Sequence, residues 1–347
     1  MSSVAVTGGC GFIGSALVER LLETDAEVSV VCVDALTYAG RRDNLAHLDP
    51  TRVRLEVLDI RYDHHAIAAA LEGVEVLYHL AAETHVTRSE RHPERFYGTN
   101  VAGTIGLLGA ALRAGVPRVI HVSTDEVYGP TRPGVHFRED AKQPGVGLAT
   151  SAYAKSKALG DDVALDMSGE LGIPLCVARP TNAYGPRQFP EKLLPRSVTR
   201  MLRGERAHVW GDGTQVRDWL HVTDLADALI LLGERGEPST AYNIGPNNEP
   251  EVPNVEVVRL IAQSLGLAEE DALEFVPDPR PRHDARYGVD ASRVRQLGWA
   301  HCVPPGVGIP ATARWYRDHR TWWEGLVDEA EALYSSDTGG GVPAGPP

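Results

Sequence analysis

The 347-residue chain is 43% hydrophobic and 23% charged, the balance of a globular protein with room for a large core, or for one domain and a smaller lobe. Its net charge of −13 excludes broad, non-specific nucleic-acid binding but not an anionic small ligand in a local basic pocket. No apolar run reaches membrane-spanning length, no charged-then-apolar leader opens the chain, and Cys10, Cys32, Cys176 and Cys302 lack metal-ligand spacing, so a cytoplasmic protein with reduced thiols and no metal is expected.

In chain order, apolar runs at 4–7, 28–33, 53–58, 76–80 and 119–123 predict strands. The amphipathic stretches 12–23, 64–71 and 93–114 between them predict helices. This alternation implies an α/β fold built on a doubly wound parallel sheet. A long helix over 149–171 and a strand over 175–178 follow. Beyond about Gly185 the strands shorten, prolines and glycines increase, and helices at 191–203, 222–234 and 254–265 stand more isolated. Residues 1–185 are therefore expected to form one domain, with some later segments crossing back to it. Residues 186–334 are expected to form a smaller α/β lobe over the carboxyl ends of the strands, where open α/β sheets bind ligands. The Ser/Gly/Pro-rich tail 335–347 reads as disordered.

Gly8, Gly11 and Gly14 recur every third residue between the first strand and the first helix, in Thr7-Gly8-Gly9-Cys10-Gly11-Phe12-Ile13-Gly14. Small residues there admit a pyrophosphate, and the helix N-terminus offers it free N–H groups, so the first domain reads as a Rossmann dinucleotide-binding unit. Asp34 ends the second strand, 20 residues after Gly14. A carboxylate there accepts from ribose hydroxyls and repels a 2′-phosphate, which favours NAD over NADP. Arg41 and Arg42 read as surface charges. Asp59 and Ile60 follow the third strand and could meet the adenine, with a helix cap as the competing role for Asp59. Leu80, Ala81 and Ala82 are small and apolar enough to pass close to a dinucleotide.

Tyr153 and Lys157 lie at i and i+4 and share one helix face. An ammonium there would lower the tyrosine's pKa and make it a base for a substrate hydroxyl. Thr124, Asp125 and Glu126 stand at the end of an apolar strand. Alcohol oxidation needs no two further carboxylates, so their presence suggests a second reaction in the same pocket. A helix cap or a solvated loop is the alternative for each acid, and a backbone cap for Thr124.

Together these motifs resemble the extended short-chain dehydrogenase/reductase superfamily and, within it, the dTDP-glucose 4,6-dehydratase family. The similarity runs from the glycine turn to about Trp323. It is carried by Asp34-Ala35-Leu36-Thr37-Tyr38-Ala39-Gly40, Ala81-Ala82-Glu83-Thr84-His85-Val86, Ser123-Thr124-Asp125-Glu126-Val127-Tyr128-Gly129 and Phe189-Pro190-Glu191-Lys192-Leu193, with Tyr184-Gly185-Pro186, Arg217-Asp218-Trp219 and Tyr242-Asn243-Ile244-Gly245 as further matches. The resemblance implies an NAD-dependent hydro-lyase. Tyr153, with Thr124 and Lys157, would deprotonate the sugar 4-hydroxyl while C4 hydride passes to the cofactor. Glu126 would take the C5 proton, Asp125 would protonate the departing C6 hydroxyl, and hydride would return to C6. It also implies cofactor contacts from Leu36, Thr37 and Thr99, and substrate contacts from Thr84, Asn182, Lys192, Leu193, Val209, Trp210, Arg217, Asn254, Arg280 and His283. Dimerisation through a four-helix bundle made by 93–114 and 149–171 is a further implication.

The chain departs from the family's pattern at Ala183, Trp210, Thr87 and Arg282. Those positions bear on cofactor contacts and on the identity of sugar and base, not on the tyrosine, the lysine or the two acids. A UDP-sugar 4-epimerase, a UDP-glucuronate decarboxylase and a non-catalytic NAD-binding homologue stand as the alternatives.

Overall fold

The structure, a computed structural model, describes residues 3–141, 151–278 and 284–335. Six strands, β1 (Ser3–Thr7), β2 (Ser29–Asp34), β3 (Val53–Val57), β4 (Val76–His79), β5 (Val119–Val122) and β6 (Leu175–Pro180), lie where the apolar runs predict them. Shorter ones follow: β7 (Ala183–Tyr184), β8 (Ala207–Trp210), β9 (Val216–Arg217), β10 (Leu220–His221), β11 (Thr240–Ile244), β12 (Val252–Pro253) and β13 (Leu273–Val276). One seven-stranded sheet runs β11-β6-β5-β4-β1-β2-β3, and all its pairs are parallel. A parallel sheet covered on both faces needs strands apolar throughout rather than alternating, and β5 and β6 are buried at every position. Leu17, Leu21, Leu225 and Leu229 fill one face, and Ile67, Leu71, Leu107 and Leu108 the other.

The strand order reverses between β1 and β4, which opens a crevice at their carboxyl ends. Thr7 pairs with both Val33 and His79, so the turns after β1, β2 and β4 all emerge at that edge.

Chain beyond Gly185 contributes to both lobes. β11 completes the sheet beside β6, and the helix Val222–Arg235 packs on Phe12–Thr24. That helix is a later segment that returns to the first domain, its buried Leu225, Leu229 and Leu232 covering the sheet. The lobe itself closes around Leu194, Trp219, Val257, Ile261, Tyr316 and Trp323. The helix predicted from 191 starts later, at Leu193–Leu202, because Glu191 N–H turns back onto the Phe189 carbonyl (2.8 Å).

The stretch predicted as one helix over 93–114 is helical throughout but widens into a π turn at Gly98–Gly103, between Pro93–Tyr97 and Thr104–Ala114. Asn100 sits in that turn. Its side chain binds Glu83 N–H (2.9 Å), the Glu83 carbonyl (3.0 Å) and the Ser156 hydroxyl (2.9 Å). Such turns recur at functional sites. The short helix Val86–Arg91 was not predicted. Its cap is His85, whose ring nitrogen accepts from Arg88 N–H (3.2 Å), a residue outside the usual capping set. No helix among the described residues is long and apolar enough to cross a membrane.

Candidate active site

A cleft of about 730 Å³ opens at the carboxyl edge of the sheet and is lined by both lobes. Among the described residues, every predicted cofactor and substrate position lines it except Leu36, and every predicted catalytic position except Asp125. Arg280, His283 and the departure at Arg282 lie outside the described residues, as does the tail beyond 335.

The glycine turn is as tight as its spacing implies. A Cβ on Gly14 would stand 2.0 Å from the Gly8 carbonyl oxygen, and one on Gly8, at φ +71°, 2.9 Å from Ala81 N. The helix Phe12–Thr24 that follows has no side-chain cap and no acid in its first turn, so its N–H groups and dipole face the cleft uncompensated. Asp34, 7% exposed, accepts from Cys10 N–H (2.9 Å) and Leu36 N–H (2.8 Å). Leu36 therefore shapes the floor through its main chain, at φ +50°, instead of lining it. A carboxylate has about four acceptor sites, which leaves Asp34 capacity for two ribose hydroxyls. Asp59 does not cap the next helix, whose N-cap position is Asp63. Burial pushes the Asp59 carboxyl up, but its bonds to the Arg61 side chain and main chain outweigh this and hold it low.

Ser151 caps the helix Ala152–Leu171, its hydroxyl accepting Ala154 N–H (3.0 Å). On that helix Tyr153, Lys157 and Asp161 form a buried i, i+4 stripe. Tyr153 stands beside the Thr124 side chain, which favours its ionised form. The tyrosine's pKa departs from the sequence expectation: burial, then the Glu126 charge, raise it. The physical reason is that Lys157 reaches away, donating to the Val122 carbonyl on β5 (2.8 Å), while burial pushes the lysine itself down to about 8 despite Asp161. Thr124 also caps the turn Asp125–Tyr128, accepting Glu126 N–H (3.3 Å).

Asp125 is 2% exposed. Burial first, then the Glu126 charge, push its carboxyl up to about 8, against the pull of Arg217. At neutral pH it is therefore an acid holding its proton beside Thr124, to which it bonds at 3.3 Å.

Sequence reading passed over several groups. Asp161 takes Arg179 Nε at 2.8 Å, and Arg179 in turn donates to the Tyr128 hydroxyl (2.6 Å). The i+4 spacing from Lys157 was the available signal. Glu191, 2% exposed and in the cleft, accepts from the Tyr38 hydroxyl (3.1 Å). Glu83 and Tyr287 line the cleft as well. Lys192 points its ammonium at the Thr84 carbonyl (3.2 Å). Arg217 lies over the Tyr287 ring, 4.8 Å from its centroid, and donates to the Asp284 carbonyl (2.9 Å).

Residues 4–245 match the model of the NAD dependent epimerase/dehydratase family. The chain belongs to that family. Among its members, a dTDP-glucose 4,6-dehydratase of Streptomyces griseus is 43% identical over 93% of this chain and 96% of that protein. The dTDP-glucose 4,6-dehydratase DesIV of Streptomyces venezuelae, solved with NAD and thymidine diphosphate bound, superposes with TM-score 0.86 at 41% identity, covering 93% of this chain and 99% of that one. A UDP-glucose 4-epimerase of Thermotoga maritima, at TM-score 0.81 and 29% identity, covers 91% of this chain and 99% of its own.

The family's cofactor fits the residues present here. The Gly8–Gly14 cradle leaves no room for a side chain, and the buried Asp34 carboxylate at its edge suits a free ribose and not a phosphorylated one.

Proposed function

We propose that this chain dehydrates dTDP-glucose to dTDP-4-keto-6-deoxyglucose, with NAD regenerated in every turnover. The relatives named as dTDP-glucose 4,6-dehydratases span nearly its full length. The observation that carries the reading is the adjacent carboxyl pair, Asp125 and Glu126, in the turn after Thr124, beside the cleft that Glu126, Tyr153 and Lys157 line. Water loss across C5–C6 needs a base and an acid at adjacent positions, and a 4-epimerase needs neither.

Bound NAD supplies the hydride acceptor for C4 and the donor for C6. The chain's residues move the protons. Tyr153 takes the proton of the C4 hydroxyl, with Thr124 beside it and the Lys157 charge one turn along the helix. The 4-ketone acidifies C5–H, and Glu126 removes that proton. Asp125 gives its own to the C6 hydroxyl, which leaves as water, and the Glu126 acid returns a proton to C5. Arg217, Lys192, Asn182 and Asn254 hold the diphosphate and nucleoside end, the arginine fork matching phosphate oxygens. The side-chain oxygens of Asn182 and Asn254 are buried without a hydrogen-bond partner among the described residues, as groups awaiting a polar ligand would be. Residues 1–185 with the crossing segments then serve the cofactor, and the remainder the substrate.

A homodimer in a cytoplasmic setting completes the reading. Ile105 and Leu112 on Thr104–Ala114 are 44% and 48% exposed, and Leu171 on Ala152–Leu171 is 52% exposed. A second copy would cover them in a four-helix bundle.

Mass spectrometry of the protein with dTDP-glucose, UDP-glucose and UDP-glucuronate in parallel tests the reaction. Loss of one water from dTDP-glucose without net reduced cofactor supports it. Carbon dioxide release or an isobaric epimer from a uridine substrate would replace it with a sister activity.

A further inference from the structure

Cys10 is the one residue of the glycine turn held at both main-chain ends by side chains from elsewhere. Its N–H donates to the Asp34 carboxylate (2.9 Å), and its carbonyl accepts from the Asn44 side-chain amide (2.8 Å). Arg41 N–H shares that carbonyl (2.9 Å). Asn44 is 1% exposed. Its own oxygen accepts from the indole N–H of Trp322 (2.9 Å), 278 residues along the chain. The amide orientation is fixed by its partners: an indole N–H only donates and a carbonyl only accepts.

Trp322 belongs to a C-terminal segment anchored independently on both lobes. Leu326 and Ala330 pack with Phe189, Tyr38 and Ala39, and Tyr38 and Ala39 belong to the loop after β2. Glu331 binds Arg196 through two bonds (2.9 and 2.7 Å), and Arg196 lines the cleft. Trp323 is fully buried in the smaller lobe. The segment thus spans from the glycine turn to the substrate side.

We propose that Asn44 and Trp322 are positioning residues for NAD: through them the C-terminal segment holds the pyrophosphate turn closed and sets how long the cofactor stays bound. This rests on the reading that the cleft takes NAD. It matters for a reaction that reduces and then reoxidises the same cofactor, because reduced cofactor lost in mid-cycle strands the 4-keto sugar.

The test is the release rate of NAD from the purified holoprotein, followed by trapping free NAD with excess alcohol dehydrogenase and ethanol. Trp322→Phe keeps most of the ring packing and removes the N–H. Leu326→Ala loosens the same packing cluster and leaves the hydrogen bonds in place. Loss of one hydrogen bond should speed release by about five- to tenfold in W322F, and N44A should exceed it. L326A should melt at a lower temperature yet release NAD at the wild-type rate. Wild-type release in W322F would overturn the proposal, and so would equal acceleration in L326A, which would make the effect general loosening. Wild-type protein that retains no NAD would sink the cofactor reading and the proposal with it, a result distinct from the first two.

Discussion

Asp125→Asn removes a proton donor at nearly constant volume. Burial and the Glu126 charge lift the Asp125 carboxyl to about 8, and the acid form is the one needed to protonate the C6 hydroxyl. Wild-type elimination should hold through neutrality, then fall about tenfold per pH unit above that value. About nine molecules in ten keep the proton at pH 7 and about one in ten at pH 9. Lys157, pushed down to about 8 by burial, loses its charge in the same range, but it serves C4 oxidation. Single-turnover mixing separates the two: the near-ultraviolet absorbance of reduced cofactor reports oxidation, and quenched-flow mass spectrometry reports water loss. D125N should oxidise C4 with the alkaline fall due to Lys157 intact. Its elimination should slow by about 10²- to 10⁴-fold, so reduced cofactor should accumulate. Near wild-type elimination in D125N, or wild-type elimination that stays flat through pH 9, would refute the assignment.

The same group has a stability signature. A carboxyl raised from 3.8 to about 8 contributes stability fully below 3.8 and loses it as pH climbs through about 8, so between pH 5 and 9 the urea midpoint of D125N should fall less than that of wild type. Gly14→Ala puts a Cβ 2.0 Å from the Gly8 carbonyl oxygen; the purified variant should carry little NAD by its ultraviolet absorbance ratio and melt lower. Asp161→Asn leaves the buried Arg179 guanidinium without the carboxylate it meets at 2.8 Å, which should cost about 3–5 kcal/mol in denaturant unfolding. A loss under 1 kcal/mol would mean that Arg179 finds another acceptor.

The sheet was legible because its strands are apolar throughout and its first helices amphipathic, the two patterns that burial on both faces imposes. The glycine turn and Asp34 were legible because backbone approach and ribose recognition restrict residue type. That Val222–Arg235 is one of the segments crossing back was not legible, because periodicity reports that a face is buried, not what buries it. Asp161 was missed for a related reason. The Ala152–Leu171 helix buries a polar stripe, and hydrophobic patterning turns Lys157 and Asp161 outward. The Tyr153–Lys157 spacing placed both groups on one face but could not reveal that the ammonium turns to the Val122 carbonyl. The link from Trp322 through Asn44 to Cys10 leaves no local trace, since its partners stand 278 and 34 residues apart.

The central claim is that one pocket oxidises C4, eliminates water and reduces C6 with a cofactor that stays in place. The most direct measurement is turnover of dTDP-glucose carrying deuterium at C4, in ordinary water, with the product's labelled carbon located by nuclear magnetic resonance. The account requires the deuterium at C6 of a 4-keto-6-deoxy product, with no free reduced cofactor. Deuterium lost to solvent or retained at C4 would contradict it.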